Sequence, residues 1–216
     1  MRLDAVLKVG GSLSRGSGLA ALCSEISRLG ETHPLLVVPG GGDFAEQVRE
    51  ADRRFHLNST AAHRMALLGM DQYGYLLNQL IDGSRLCADL ASSCESADSG
   101  SAAILLPSAL VIQKDPLPHS WQVTSDTIAA WVCQCVGCNR LILLKDVDGL
   151  LGPDELISEM TVEQLAEHTG GVDEYLSTFL KSSALDVWVI NGSHPERLSE
   201  LLKTGHTMGT RILSAC

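Results

Sequence analysis

Leu35-Leu36-Val37-Val38-Pro39-Gly40-Gly41-Gly42-Asp43 sets a short aliphatic run against a proline, three glycines and an acid. Four apolar residues without alternation read as a strand buried on both faces. The Pro-Gly cluster ends it, and a helix is expected to start near Asp43. The same order stands upstream. Residues 3–9, Leu-Asp-Ala-Val-Leu-Lys-Val, read as a strand, Gly10-Gly11 stop it, and a helical pattern runs from about Leu19 to Leu29. Strand, glycine turn and helix, twice over, predict an α/β fold built on a parallel sheet.

Outward from that core the pattern continues. Residues 59–82 carry a long helical pattern, with Met65, Leu68, Leu76, Leu77 and Leu80 among its apolar positions. Ser92 to Ser101 is polar and is expected to be a surface loop. Ala102–Leu106 reads as a strand, and Pro116 and Pro118 keep Lys114–His119 out of regular helix. Thr124-Ser125-Asp126 announces a helix through Ile128–Val136, and Leu141–Leu144 is a strand running into Lys145-Asp146-Val147-Asp148-Gly149. Thr161–His168, Glu174–Ala184 and Pro195–Lys203 read as helices, and Val187–Ile190 and Thr210–Leu213 as strands. No repeat or composition break divides the chain, so residues 1–216 are expected to form a single domain.

Composition narrows the function. Hydrophobic residues are 45% of the chain but aromatic ones only 4%, so the core must be aliphatic, as in a buried parallel sheet. A net charge of −10 excludes a broad nucleic-acid or anionic-membrane surface, yet leaves room for a local anion site. No apolar stretch is long enough to span a bilayer, and Met1-Arg2-Leu3-Asp4 does not read as a signal peptide, so a cytoplasmic protein is expected. Seven cysteines, including Cys216, at irregular spacing fit reduced thiols. Cys135-Val136-Gly137-Cys138 is a lone CxxC, which reads as small apolar residues at a helix end more readily than as a metal or redox site.

Four segments carry candidate chemistry. Lys8-Val9-Gly10-Gly11-Ser12 places a lysine near the end of a buried strand, where its ammonium needs an anion or an opening. The glycines beyond it allow backbone N–H groups close to a phosphate; a tight turn with a snorkelling lysine reads equally well. Gly40, Gly41 and Gly42 expose donors beside a positive helix end and favour an anion site over a mere connector. Asp126 caps a helix, orients a lysine, or holds a cationic acceptor. Lys145 to Gly149 suits a nucleotide contact loop or a polar turn. His63 and Arg64 open the long helix and are candidates for an acceptor phosphate or a dimer partner. The histidines show no i, i+4 metal pair, and no metal site is expected.

Taken in order, Lys8-Val9-Gly10-Gly11-Ser12, Pro39-Gly40-Gly41-Gly42, Thr124-Ser125-Asp126 and Asp146-Val147-Asp148-Gly149 resemble the amino acid kinase family. The resemblance implies an open, mostly parallel sheet of about eight strands between helices, a three-layer α/β/α arrangement. It also implies an ATP-dependent kinase, with the acceptor mainly on residues 1–120 and ATP, carried with Mg2+, mainly on residues 121–216. By resemblance, Lys8 stabilises the transferring group and Asp126 organises the lysines. Gly10, Gly11, Ser12, Asp146, Asp148 and Gly149 would hold ATP, and Gly40, Gly41, Gly42, His63 and Arg64 the acceptor. Many members place a second lysine in a Gly-Met-x-x-Lys segment. The corresponding Gly170-Gly171-Val172-Asp173-Glu174-Tyr175 has none, which leaves Lys145 or Lys181 for that cation. Asp71 or Asp126 is the candidate partner for an acceptor amine.

His63-Arg64-Met65-Ala66, Gly69-Met70-Asp71-Gln72, the segment from Trp121 to Trp131 and Val172-Asp173 resemble a short branch of that family. Its members phosphorylate an aminomethyl-furan-methyl phosphate in methanofuran biosynthesis. Other small acceptors on the same fold are a nucleoside monophosphate, an isoprenoid phosphate or an amino acid. A non-catalytic nucleotide- or oxyanion-binding module is the reading outside enzymes. A homodimer or higher homo-oligomer is expected from the apolar-faced helix at 59–82.

Overall fold

The computed structural model describes residues 3–153 and 155–214. Met1, Arg2 and Cys216, all read in the sequence, lie outside the described residues. In chain order the elements are β1 (Ala5–Val9), α1 (Leu19–Gly30), β2 (Leu35–Pro39), α2 (Gly42–Phe55), α3 (Ser59–Leu80), β3 (Arg85–Cys87), α4 (Leu90–Asp98), β4 (Ala103–Leu105) and α5 (Pro107–Lys114). The second half holds α6 (Ser125–Cys135), β5 (Arg140–Lys145), β6 (Leu150–Leu151), β7 (Leu156–Ile157), β8 (Glu159–Thr161), α7 (Val162–Glu167), α8 (Leu176–Leu180), β9 (Asp186–Asn191), α9 (Glu196–Thr204) and β10 (Thr210–Leu213). A short 3-10 turn over Gly11–Arg15 follows β1.

Eight strands form one sheet in the order β3-β4-β2-β1-β5-β9-β10-β8, and β6 with β7 makes a separate hairpin. All pairings in the large sheet are parallel except β9 with β10. β1 sits centrally, with Lys8 level with Val38 of β2 and Leu143 of β5. Its five residues are all buried, as are Leu141–Leu144 and Val187–Ile190, so these strands are covered on both faces. Two hydrophobic layers flank the sheet. One holds Val6, Val38, Leu143 and Val189 against α6, α7 and α8; the other holds Leu7, Val37, Leu144 and Ile190 against α1, α9 and Tyr73 and Leu77 of α3. Alternate strand residues feed opposite layers, as the pleat requires.

Several elements differ from the sequence reading: the two- and three-residue strands β3, β6, β7 and β8 are too short to show a pattern, and the helix expected over Glu174–Ala184 is confined to Leu176–Leu180. Residues 92–101 are not a loop: α4 runs through Leu90–Asp98, because Asp89 accepts the N–H of Ser92 and caps it while Ser93, Ser96 and Ala97 turn inward. α5 was absent from the reading although Pro107 stands at its first turn, a position that proline favours. Asp71 accepts both the N–H and the Oγ of Ser108 at that helix start.

Helix α6 ends in a paired turn: Cys138 N–H donates to Cys133 O and Gly137 N–H to Gln134 O, with Gly137 at φ +65. This geometry brings the side chains at the two outer positions together over the helix end. Cys133 and Cys138 are therefore buried packing residues, both with Sγ 3.5 Å from Arg140 O, while Cys135 of the CxxC is exposed.

Candidate active site

The carboxyl ends of β1, β2 and β5 converge, and each ends in the turn the sequence marked. Gly10 N–H donates to Leu144 O at 2.8 Å and Gly40 N–H to Val9 O at 2.8 Å, which locks the three strand ends together. The two glycine turns then lie backbone against backbone. A Cβ on Gly11 would stand 2.1 Å from Gly42 N, so no side chain fits there. Close approach, rather than flexibility, is what these glycines supply. α2 starts at Gly42, whose φ is +53, and points its positive end into the same space.

A cavity of about 260 Å3 opens at this edge, walled by Lys8, Gly10, Gly11, Ser12, Gly41, Gly42, Thr124, Ser125 and Lys145, with Met70, Val123 and Ile128 on its apolar side. That is just below the ~300–1,000 Å3 usual for ligand pockets, a size for a small acceptor. Arg15, Arg49 and His63 add further cationic or protonatable groups. Among the described residues that line it there is no Asp or Glu. A local cluster of cationic and protonatable groups thus sits in a chain of net charge −10.

At the cavity wall Asp126 lies between two lysines. Lys8 Nζ is 2.8 Å from its Oδ1 and Lys145 Nζ 2.5 Å from its Oδ2. Lys8 and Asp126 are only 5% and 1% exposed, so neither charge is shared with bulk water. Burial alone would raise the Asp126 pKa, but the two lysines outweigh it and hold the carboxyl far below its ordinary value. Burial lowers the pKa of Lys8, and the nearby charge of Lys145 adds to that; Asp126 opposes both without fully offsetting them. Phosphate oxygens entering the cavity would meet two donors already fixed in place.

The sequence-derived residues are placed unevenly. Lys8, Gly10, Gly11, Ser12, Gly41, Gly42, His63 and Lys145 line the cavity, and Asp126 stands behind it. Gly40 supports Gly11 from the β2 turn: a Cβ there would be 2.7 Å from Gly11 N. Arg64 points to the exposed face of α3 and does not line the cavity, and Lys181 is exposed at the end of α8. Asp71 is tied to Ser108 and Asp126 to the lysines, so neither is free for an acceptor amine. Asp146 lines an adjoining groove with Lys145, Gly171, Val172 and Asp173. Asp148 is taken up by Asn191 at 3.0 Å and Arg197 at 2.6 Å, which ties the β5 turn to the end of β9 and the start of α9. Gly149, at φ +152, packs against Thr210.

Three cavity residues were not found in the sequence. Arg49 follows Ala45 by one helical turn on α2, so both face the cavity. Its guanidinium lies 4.2 Å from the centre of the Trp121 ring, and Trp121 Nε1 donates to Asp52 at 2.6 Å. Arg15 leaves the 3-10 turn and pairs with Asp43 at 2.5 Å. A helix face one turn beyond a glycine loop was the available signal for Arg49. Trp121, in an irregular segment, was marked only by the resemblance of Trp121 to Trp131 to the short branch, with no role attached. His63 stacks on His119 with ring centres 4.5 Å apart, and burial followed by that neighbour lowers its pKa.

The model of the amino acid kinase family matches residues 5–191. The chain is 28% identical over 213 residues to the [5-(aminomethyl)furan-3-yl]methyl phosphate kinase of Methanocaldococcus jannaschii, covering 96% of this chain and 97% of that protein. It is 25% identical over 207 residues to the uridylate kinase of Haloarcula marismortui, covering 84% and 83%. Among solved structures, uridylate kinase from Archaeoglobus fulgidus superposes with a TM-score of 0.75 at 20% identity, over 98% of this chain and 100% of that one. UMP kinase from Ureaplasma parvum gives 0.76 at 12% identity, over 99% and 100%. These superpositions bear out the eight-stranded, mostly parallel α/β/α sheet.

Proposed function

The chain belongs to the amino acid kinase family and is a small-molecule kinase with ATP as the implied phosphate donor, and from that premise we propose that its acceptor is itself a phosphate, of the aminomethyl-furan-methyl phosphate type. The observation that carries this reading is the cavity: two lysines bracketing one buried carboxylate, two glycine turns, and no acid among its described lining residues. A phosphorylated acceptor finds cations, hydroxyls and backbone donors there, and no carboxylate among the described lining residues. The length match with the Methanocaldococcus jannaschii kinase, nearly end to end, supports the same class of acceptor.

In this reading an acceptor phosphate oxygen forms a bond to the γ-phosphorus of ATP as the bond from that phosphorus to the β-γ bridging oxygen breaks, and ADP leaves. The acceptor phosphate is already ionised at neutral pH, so no general base is required. Catalysis is alignment and charge stabilisation. Lys8 and Lys145 would meet the equatorial oxygens, and the turns at Gly10-Gly11 and Gly41-Gly42 the flanking phosphates. ATP would approach along the groove of Asp146, Val147 and Gly171, which shares Ser12, Thr124 and Lys145 with the cavity. Mg2+ would enter on the ATP oxygens, which it prefers.

The exposed apolar positions of α3 (Met65, Leu68, Tyr75, Leu76 and Leu80) support a homo-oligomer through this helix, which light scattering on the purified protein would test. Among the described residues no helix is long and apolar enough to cross a membrane.

The acceptor is tested by competition. Wild-type protein is given MgATP and, separately, aminomethyl-furan-methyl phosphate, UMP, isopentenyl phosphate and free amino acids, and products are weighed by mass spectrometry. A diphosphate formed with highest kcat/KM from the aminated furan phosphate is expected. A higher kcat/KM for UMP would transfer the assignment to uridylate-type chemistry.

A further inference from the structure

The loop 170–175 brings no cation to the centre, yet it touches the centre at its most buried carboxylate. Asp173 N–H donates to Asp126 Oδ2 at 3.1 Å, the oxygen that Lys145 also reaches. The Asp173 side chain turns the other way, onto the first turn of α6. Its Oδ2 accepts Thr124 N–H at 3.0 Å, Thr124 Oγ1 at 3.0 Å and Thr127 N–H at 2.9 Å, and its Oδ1 accepts Thr127 Oγ1 at 2.5 Å. Thr124, the residue at the cap position, makes no side-chain cap of its own. The free N–H groups of this helix start are therefore met by a residue from a distant loop.

One residue thus holds two things at once: the helix turn that carries Asp126, and the Asp126 carboxylate itself. We propose that Asp173 is the positioning residue of the phosphoryl-transfer centre, fixing Asp126 from both sides so that Lys8 and Lys145 are held at one spacing. The proposal rests on the phosphotransferase reading above and assigns this loop a carboxylate's role in place of a cation's. Asp173 acts through Asp126: its carboxylate is turned onto the start of α6 and its N–H onto the Asp126 carboxylate.

Charge enters as well as geometry. The groups facing Lys8 are Asp126 from α6, Lys145 from β5 and Asp173 from the loop. With all four ionised the cluster is formally neutral. Removing the Asp173 charge leaves it one positive charge in excess, which makes the Lys8 ammonium easier to deprotonate.

The test reads Lys8 directly in the full-length protein, by the pH titration of its 13C-labelled ε-carbon, assigned with Lys8→Arg. In Asp173→Asn, which keeps the shape and an acceptor oxygen, Lys8 is expected to titrate about one pH unit lower than in wild type. kcat should fall by about 100-fold with acceptor KM little changed, as displacement of a catalytic group by an ångström does. Thr127→Val removes one of the four bonds Asp173 accepts at the helix start and keeps its charge and the other three, so it should lower Tm while moving the Lys8 titration much less than Asp173→Asn does. Asp173→Glu, which restores the charge, should bring the titration back. A wild-type titration and wild-type kcat in Asp173→Asn would reduce Asp173 to a helix cap and overturn the proposal. So would a Thr127→Val variant that shifts Lys8 as far as Asp173→Asn does. Absence of phosphoryl transfer in wild type would remove the functional reading by itself, and the titration would still decide the role of Asp173.

Discussion

Helix α6 meets the central strand at both of its ends, and the two meetings are chemical opposites. At its start Asp126 is enclosed between Lys8 and Lys145 at the carboxyl edge of the sheet. At its finish Cys133 and Cys138 lie under the opposite edge, with Cys138 Sγ 3.6 Å from Leu3 O. In the sequence the first end reads as Thr124-Ser125-Asp126 opening a helix, and the second as a lone CxxC that suits packing more readily than a metal or redox site. Burying two thiols at a helix end is favourable packing. Burying two ammonium groups around one carboxylate is not, since apolar residues of similar size often serve stability as well or better. An ionic end that stability alone does not require calls for another use, and under the proposed function that use is the phosphoryl group.

The comparison breaks most visibly on single substitutions at each end. Lys8→Ala is expected to lower kcat by about 1,000-fold with the circular dichroism spectrum preserved, the scale of losing a fixed oxyanion donor. Cys133→Ala at the other end should leave kcat unchanged and cost about 1 kcal/mol in urea denaturation. Equal loss of turnover from both would erase the distinction drawn here. The second cation gives the next largest effect. Lys145→Met should lower kcat by about 100-fold, whereas Lys181→Met, on the exposed end of α8, should not change it. Reversal of that order would return the second cation to the loop side.

pH separates the ends further. The folded pKa of Asp126 lies below its unfolded value, so its ion pairs stabilise the fold above about pH 4 and that contribution is lost as pH falls lower. The stability gap between wild type and Asp126→Asn should therefore be flat near neutrality and narrow only in acid, as measured by denaturation across pH. Lys8 has the opposite sense. Its folded pKa is depressed, so the unfolded chain binds the extra proton, and the contribution of Lys8 to stability rises with pH between the lowered value and about 10.4. Turnover should fall over that same window as the ammonium is lost. Activity declining on the alkaline side ahead of any unfolding is the expected result. The smallest effect belongs to Cys135: exposed at the end of α6, it should react ahead of the other described cysteines with a thiol reagent in the native state, with little change in kcat.

How much of this was legible follows from where each contribution lies along the chain. Lys8, Gly10 and Gly11 occupy one segment, and a buried strand ending in glycines announces its own edge. Gly40 to Gly42 repeat the signal. The pairing of Lys145 with Asp126 was written in no single segment, because it needs β5 to lie beside β1 with α6 across them. Arg49 and Trp121 meet only in the folded chain, one on α2 and the other before α6, so neither spacing nor composition marked them. Asp173 was hidden for the same reason: a helix capped by a distant loop leaves no capping pattern near its own start. Residues 92–101 misled because small polar residues serve equally in loops and on a capped, half-buried helix.

Transfer of the γ-phosphoryl group of ATP onto a phosphate at this edge can be watched by 31P NMR of a mixture of protein, MgATP and aminomethyl-furan-methyl phosphate. The phosphomonoester resonance should be replaced by the coupled pair of a diphosphate as ADP accumulates. Release of inorganic phosphate alone, or ATP bound but unchanged with every phosphorylated acceptor tried, would contradict it.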